Sequence, residues 1–178
     1  MKNVLIITSS YRKNSNSNML ANHFKMGAEE SGNKVETVDL SKKQIAFCRG
    51  CMACQKINKC VINDDAVEIA NKMLNADVLV FVTPVYYYSV SGQLKTMLDR
   101  ANPLYAMDYK FRDVYLLSTA ADEDPSAVDG AVKDIQGWVS CFENAKFKGV
   151  VFAGDVNDEG DIEDHCALTH AYEIGKAV

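Results

Sequence analysis

Four of the chain's six cysteines, Cys48, Cys51, Cys54 and Cys60, fall within the single stretch "CRGCMACQKINKC". The spacing C-x2-C-x2-C-x5-C puts four soft ligands in one loop, enough thiolates for a [4Fe-4S] cluster or a tetrahedral zinc. The same thiols could act as a redox or disulfide-forming group, or stand without metal, and the residues leave all four readings open. In a reducing compartment, clustered cysteines bind metal or do redox chemistry more often than they form structural disulfides. Arg49, Lys56 and Lys59 beside the thiols favour their anionic form, which helps metal binding and oxidation equally. Cys141 and Cys166 are expected to be ordinary buried small residues.

Two further stretches carry polar chemistry. "TSSYRKNSNSN" (8 to 18) supplies hydroxyls at Thr8, Ser9, Ser10, Ser15 and Ser17, amides at Asn16 and Asn18, and a cation at Arg12. A helix is expected immediately after it. Free N–H groups and the positive end of that helix form an anion site, with Ser, Thr and Asn donating to phosphate oxygens and Arg12 neutralising charge. "TPVYYYSVSGQLK" (83 to 95) places Pro84 and three consecutive tyrosines, Tyr86, Tyr87 and Tyr88, after an apolar run. Read as extended chain, whose residues alternate sides, it turns at least one ring toward the same place, where it would flank a flat heteroaromatic ligand. A phosphate together with a flat ring system suggests FMN.

These loops need a frame that points them at one ligand. "NVLIIT" (3 to 8), "DVLVFVT" (77 to 83), "DVYLLST" (113 to 119) and "KGVVFAG" (148 to 154) are nearly continuous apolar runs, as strands of a parallel sheet buried on both faces must be. "KVETVDL" (34 to 40) is mixed and suits an edge. Between them, Leu20, Phe24 and Ala28 fall at spacings of four, Ala66, Ile69, Ala70, Met73 and Leu74 follow the caps Asp64 and Asp65, and Leu94, Met97, Leu98 and Ala101 follow Ser89. Val128, Val132, Ile135, Val139 and Phe142 make a fourth one-sided helix, and 161 to 177 a more polar last one. The fold class is therefore α/β: one doubly wound domain over 1–178, with a five-stranded parallel sheet in the flavodoxin-like order 2-1-3-4-5 and helices on both faces. Its ligand crevice lies where the first and third strands diverge.

Composition removes other classes. A formal charge of −5 and no basic stripe argue against nucleic acid. The apolar start "MKNVLII" is broken at once by polar residues, so neither a signal peptide nor a membrane span is expected and the chain should be cytoplasmic. Neither G-x-G-x-x-G nor G-x-x-x-x-G-K-[ST] follows the first strand. A phospho-receiver of the same topology would need Asp where Thr83 and Pro84 stand. There is no Ser-His-Asp arrangement or metal-hydrolase motif. The three histidines and Trp138 are expected to be surface or packing residues.

"SSYRKNSNSN" followed by "FVTPVYYYSVSGQLKTMLDR" resembles the NAD(P)H-dependent FMN reductase branch of the flavodoxin-like superfamily, over roughly residues 3 to 120. The family's first loop reads approximately G-S-P-R-x-x-S-N-T. Here Ser9 replaces the usual Gly and Tyr11 the usual Pro. The resemblance implies phosphate contacts from Ser10, Arg12, Ser15, Asn16 and Ser17, and an isoalloxazine bordered by Pro84, Val85, Tyr86, Tyr87 and Ser89; the hydroxyl of Ser9 is a further cofactor-binding candidate of the same loop. Thr119 and Ala120 should close one side, and a homodimer or higher homo-oligomer with the flavin near the interface is implied. Asp122, Glu123 and Asp124 are expected as solvated loop carboxylates. The cysteine stretch resembles that of iron-sulfur flavoproteins, which share the fold and carry FMN beside a cubane cluster. Plain flavin reductases of the branch look similar in this segment.

The expected activity is FMN-dependent electron transfer from NAD(P)H to a second small-molecule or protein acceptor, by ping-pong turnover without a catalytic side chain. Two alternatives remain: an iron-sulfur flavoprotein electron carrier with a cluster on Cys48, Cys51, Cys54 and Cys60, and a zinc-binding module without flavin.

Overall fold

The computed structural model describes residues 1–178. Its five strands, β1 (Asn3–Thr8), β2 (Lys34–Asp39), β3 (Val78–Pro84), β4 (Asp113–Thr119) and β5 (Lys146–Ala153), form one sheet in the order β2-β1-β3-β4-β5. Every neighbouring pair is parallel. The helices are α1 (Asn16–Glu30), α2 (Cys54–Ile57), α3 (Asp65–Asn75), α4 (Gly92–Arg100), α5 (Asp129–Val139) and α6 (Cys166–Lys176), with 3-10 turns at Leu40–Lys42, Asn102–Ala106 and Pro125–Val128. The expected strand order and class are those observed.

Side chains alternate along a strand, and the two central strands therefore feed two separate cores. Leu5, Ile7, Leu79 and Phe81 face α3, α4 and α5, where they meet Ile69, Met73, Leu94, Met97 and Ile135. Val4, Ile6, Val78, Val80 and Val82 face α1 and α6, against Leu20, Phe24, Leu168 and Ala171. Helices α1 and α6 touch backbone to backbone: a Cβ on Gly27 would lie 2.1 Å from the Tyr172 carbonyl oxygen, and one on Gly175 2.1 Å from that of Phe24. That close crossing fixes where the start of α1 points. In β2 only Val38 is buried, as an edge requires.

Several local expectations are corrected. Helix α4 is capped by Ser91, whose hydroxyl accepts from Leu94 N, and not by Ser89. Helix α6 begins only at Cys166, because 161 to 164 form turns and the extended His165 caps it, its Nδ1 accepting from Ala167 N at 3.0 Å. Strand β5 starts earlier, at Lys146, with a register shift opposite Val114 and Tyr115, where Gly149 takes φ 154°. Cys141 and Cys166 are exposed, not buried: one lies in the turn after α5 and the other opens α6. Trp138 packs edge-on to Phe81 at 5.4 Å and against Phe142 at 4.4 Å. No helix is long and apolar enough to cross a membrane.

Candidate functional site

Buried polar residues mark where a fold departs from simple packing. There are eleven, and ten of them, Thr8, Ser9, Ser10, Ser15, Asn16, Ser17, Thr83, Ser91, Ser118 and Thr119, lie at the carboxyl ends of β1, β3 and β4, in the loops that follow or at the start of α1. Hydroxyls lace these ends together. Ser9 donates to the Val82 carbonyl at 3.0 Å, Ser91 to Ser9 Oγ at 2.9 Å, and Ser118 to the Thr83 carbonyl at 2.8 Å. Val85 N bonds the Thr119 carbonyl at 2.8 Å, closing β3 onto β4. The result is a rigid rim at the sheet's switch point.

A cavity of ≈ 200 Å³ opens on this rim. Nine of the thirteen residues expected to bind the cofactor line it: Ser10, Arg12, Ser15, Asn16, Pro84, Val85, Tyr86, Thr119 and Ala120. The start of α1 suits an anion. Ser15 occupies the cap position without making a cap bond, its hydroxyl pairing instead with Ser17 Oγ at 2.9 Å, and no acidic residue stands in the first turn. The first N–H groups of a fifteen-residue helix therefore remain free, with Arg12 beside them. These donors fit a phosphate.

The other four expected residues do not line this cavity. Ser9 bonds Val82 as above, Ser17 pairs with Ser15, and Ser89 donates to Asp134 Oδ2. Tyr87 points wholly into solvent. The tyrosine run is not extended: Tyr86 and Ser89 bridge across a two-residue turn in which Tyr87 has φ 50° and Tyr88 φ 60°. Such a turn usually holds Asn-Gly, so two tyrosines there are strained. Three neighbours hold it. Tyr88 OH bonds Asp122 Oδ2 at 3.1 Å, which raises the phenol's pKa, Val90 N bonds Asp134 Oδ2 at 3.3 Å, and Gly130 packs on the Tyr88 backbone. Asp122 thus has a partner that the sequence did not reveal.

The loop after β5 was missed. Val156 and Asn157 line the cavity, Arg12 bonds the Asn157 carbonyl, and Asn16 donates to the Asp158 carbonyl at 2.8 Å while accepting from Gly160 N at 3.1 Å. Asn16 is accordingly a brace as well as a wall. The signal was available in the topology, since β5 also opens at this edge. Tyr86 also lines a second cavity of ≈ 450 Å³ with Tyr11, Lys43, Ile45 and Phe47.

The four clustered cysteines line one small cavity of ≈ 30 Å³, with Cys48 and Cys51 exposed and Cys54 buried. Gly50, Met52 and Asn58 all take positive φ, so the loop doubles back repeatedly. Its base is tied by Arg100, whose side chain is fully buried. Nη1 and Nη2 reach Asp64 at 2.7 and 2.8 Å, the Ala46 carbonyl at 2.7 Å and the Ile62 carbonyl at 3.0 Å. Burial opposes charge on Asp64, but Arg100 and the N–H groups of Ala46 and Ala66 outweigh it and hold the carboxyl below its ordinary range. No three His, Cys, Asp or Glu side chains are arranged to hold a single metal ion. Four cysteines in one loop are nonetheless the kind and number of ligands that a larger thiolate-bound centre uses. Four cysteines line one space, and Arg100, which lines it too, has a buried Nε donor without a partner.

An α/β sheet in this order, with a helix of uncapped first-turn N–H groups and a tyrosine-lined cavity at the switch point, defines a flavodoxin-like protein. Comparison narrows the class: the family described as NADPH-dependent FMN reductase matches residues 2–143, and the chain belongs to it. It is similar to an iron-sulfur flavoprotein of Methanosarcina thermophila, 31% identical over 88% of this chain and 79% of that one. A second iron-sulfur flavoprotein, of Methanocaldococcus jannaschii, is 38% identical over 57% of this chain and 52% of its own. The chain spans about half the length of most curated relatives it matches. Among solved structures, an azoreductase from Bacillus anthracis shares the fold at a TM-score of 0.75 and 19% identity, covering 100% of both chains.

Proposed function

We propose that the protein is an FMN-dependent oxidoreductase that takes electrons from NADH or NADPH and passes them to a second acceptor. The observation that carries this reading is the convergence of the free start of α1, Arg12, Ser10 and Ser15 with Pro84, Val85 and Tyr86 on one cavity. FMN, when bound, would supply the two-electron relay between nicotinamide and acceptor. The chain's own residues do the rest. Free N–H groups of α1 and Arg12 hold the phosphate, Ser10 and Ser15 donate to its oxygens, and Tyr86, Pro84 and Val85 wall the ring. Thr119 and Ala120 close the opposite side. The hydroxyl ties of Ser9, Ser91 and Ser118 keep that geometry fixed before the ligand arrives.

A second reading, an iron-sulfur electron carrier of the same fold, is supported by four cysteines around one space and by the unpartnered donor of Arg100. The names of its relatives point the same way. In that case Cys48, Cys51, Cys54 and Cys60 would hold the cluster. Because the cavity is small, the exposed Cys48 and Cys51 would move outward to admit it.

The test is an absorption spectrum with iron and zinc determination on protein purified without oxygen, before and after NADH or NADPH. Flavin bands that bleach, with no iron, favour the reductase. Flavin with about four irons per chain favours the carrier. Zinc without flavin refutes both.

A further inference from the structure

Helix α4 joins the two candidate sites. Its start is anchored at the crevice by the Ser91–Ser9 bond, and its end delivers Arg100 and then Asn102 to the cysteine loop. Asn102 Nδ2 donates to the sulfur of buried Cys54 at 3.0 Å. Arg100 spends both terminal nitrogens on Asp64, Ala46 and Ile62, which leaves Nε buried without a partner, and Arg100 lines the same ≈ 30 Å³ cavity as Cys60. A neutral thiol is a weak acceptor, whereas a metal-bound sulfur carrying negative charge accepts strongly. One donor thus already meets a sulfur, and the other is an unpartnered N–H on the wall of the cavity that Cys60 also lines, where the sulfurs would gain charge on metal binding and gain more on reduction.

We propose that Arg100 and Asn102 are positioning residues for a metal–thiolate centre on this loop, donating to the Cys60 and Cys54 sulfurs and raising the centre's reduction potential. The physical reason is that hydrogen bonds to ligating sulfur stabilise the more negative, reduced form. This rests on the iron-sulfur reading above. Neither residue reaches the cavity lined by Arg12 and Tyr86, so the flavin serves as an internal control.

The test compares the parent with Asn102→Leu, which keeps the size and removes the donor, and with Arg100→Lys, which keeps a charge against Asp64. Each chain is reconstituted with iron and sulfide without oxygen. Iron per chain and the midpoint potentials of the flavin and the iron-sulfur centre are then read by redox titration with electron paramagnetic resonance. Expected are parent-level iron in Asn102→Leu, a downward shift of the iron-sulfur potential in both variants, and an unmoved flavin potential. Full iron with a parent potential in both variants overturns the inference and leaves the cluster reading intact. A parent chain that takes up no iron overturns the cluster reading itself.

Discussion

Replacing Arg12 by alanine tests the phosphate site most directly. Arg12 is exposed and has committed one of its N–H groups to the Asn157 carbonyl, so the remaining donors of the guanidinium are free for a phosphate. A hydrogen bond to a charged group contributes about 1.5–3 kcal/mol. Exposure to solvent and salt places Arg12 at the lower end, about 1.5 kcal/mol, or roughly a tenfold weaker Kd. The α1 N–H groups stay in place, so binding should weaken and not vanish. The assay is quenching of flavin fluorescence on titration of cofactor-free protein, run in parallel with FMN and with riboflavin, which lacks the phosphate. Arg12→Ala should weaken FMN about tenfold, leave riboflavin unchanged and flatten the salt dependence of FMN binding. Equal losses for both flavins, or no loss for either, would refute the assignment of Arg12 to the phosphate.

Other residues give independent checks. A Cβ on Gly130 would meet the Tyr88 carbonyl oxygen at 1.9 Å, so Gly130→Ala should displace the tyrosine turn, destabilise by about 1–3 kcal/mol in urea unfolding and weaken FMN binding. Tyr87→Asn should raise stability by up to about 1 kcal/mol in thermal melts, because Asn tolerates φ 50° and the fully exposed ring has no intramolecular packing to lose. Asp64→Ala strands a buried guanidinium and should destabilise by about 3 kcal/mol, measured by urea unfolding. The pH dependence follows from the same pair. Asp64 binds its proton less readily folded than unfolded, so its contribution is complete above the ordinary value of 3.8 and is lost as pH falls through the lowered one. Asp64→Ala should therefore show a shallower acid limb than the parent.

The sequence by itself determined the class of fold. Runs such as "VLVFV" within "DVLVFVT", five apolar residues in succession, read as strands covered on both faces, and right-handed crossovers then leave few windings. It also determined most of the crevice, because β1 and β3 project "TSSYRKNSNSN" and "TPVYYYSVSGQLK" from the same edge, and nine of the thirteen named residues line one cavity. Side-chain direction within those loops was not legible. Tyr87 and Tyr88 adopt left-handed backbone that no local propensity favours, held by Asp122, Asp134 and Gly130 from segments more than thirty residues away. Burial of single cysteines was likewise undetermined, and the composition rule that hides cysteine failed for Cys141 and Cys166, which fall in a turn and at a helix start. Only tertiary structure brought the loop after β5 against Arg12 and Asn16, and only it set Asn102 on the Cys54 sulfur and Arg100 on the wall of the cavity lined by a loop some forty residues earlier. The reason is general to both cases. Periodicity reports which face of an element is buried, whereas a hydrogen bond between distant loops depends on how whole elements pack, and nothing in the local sequence encodes that distance.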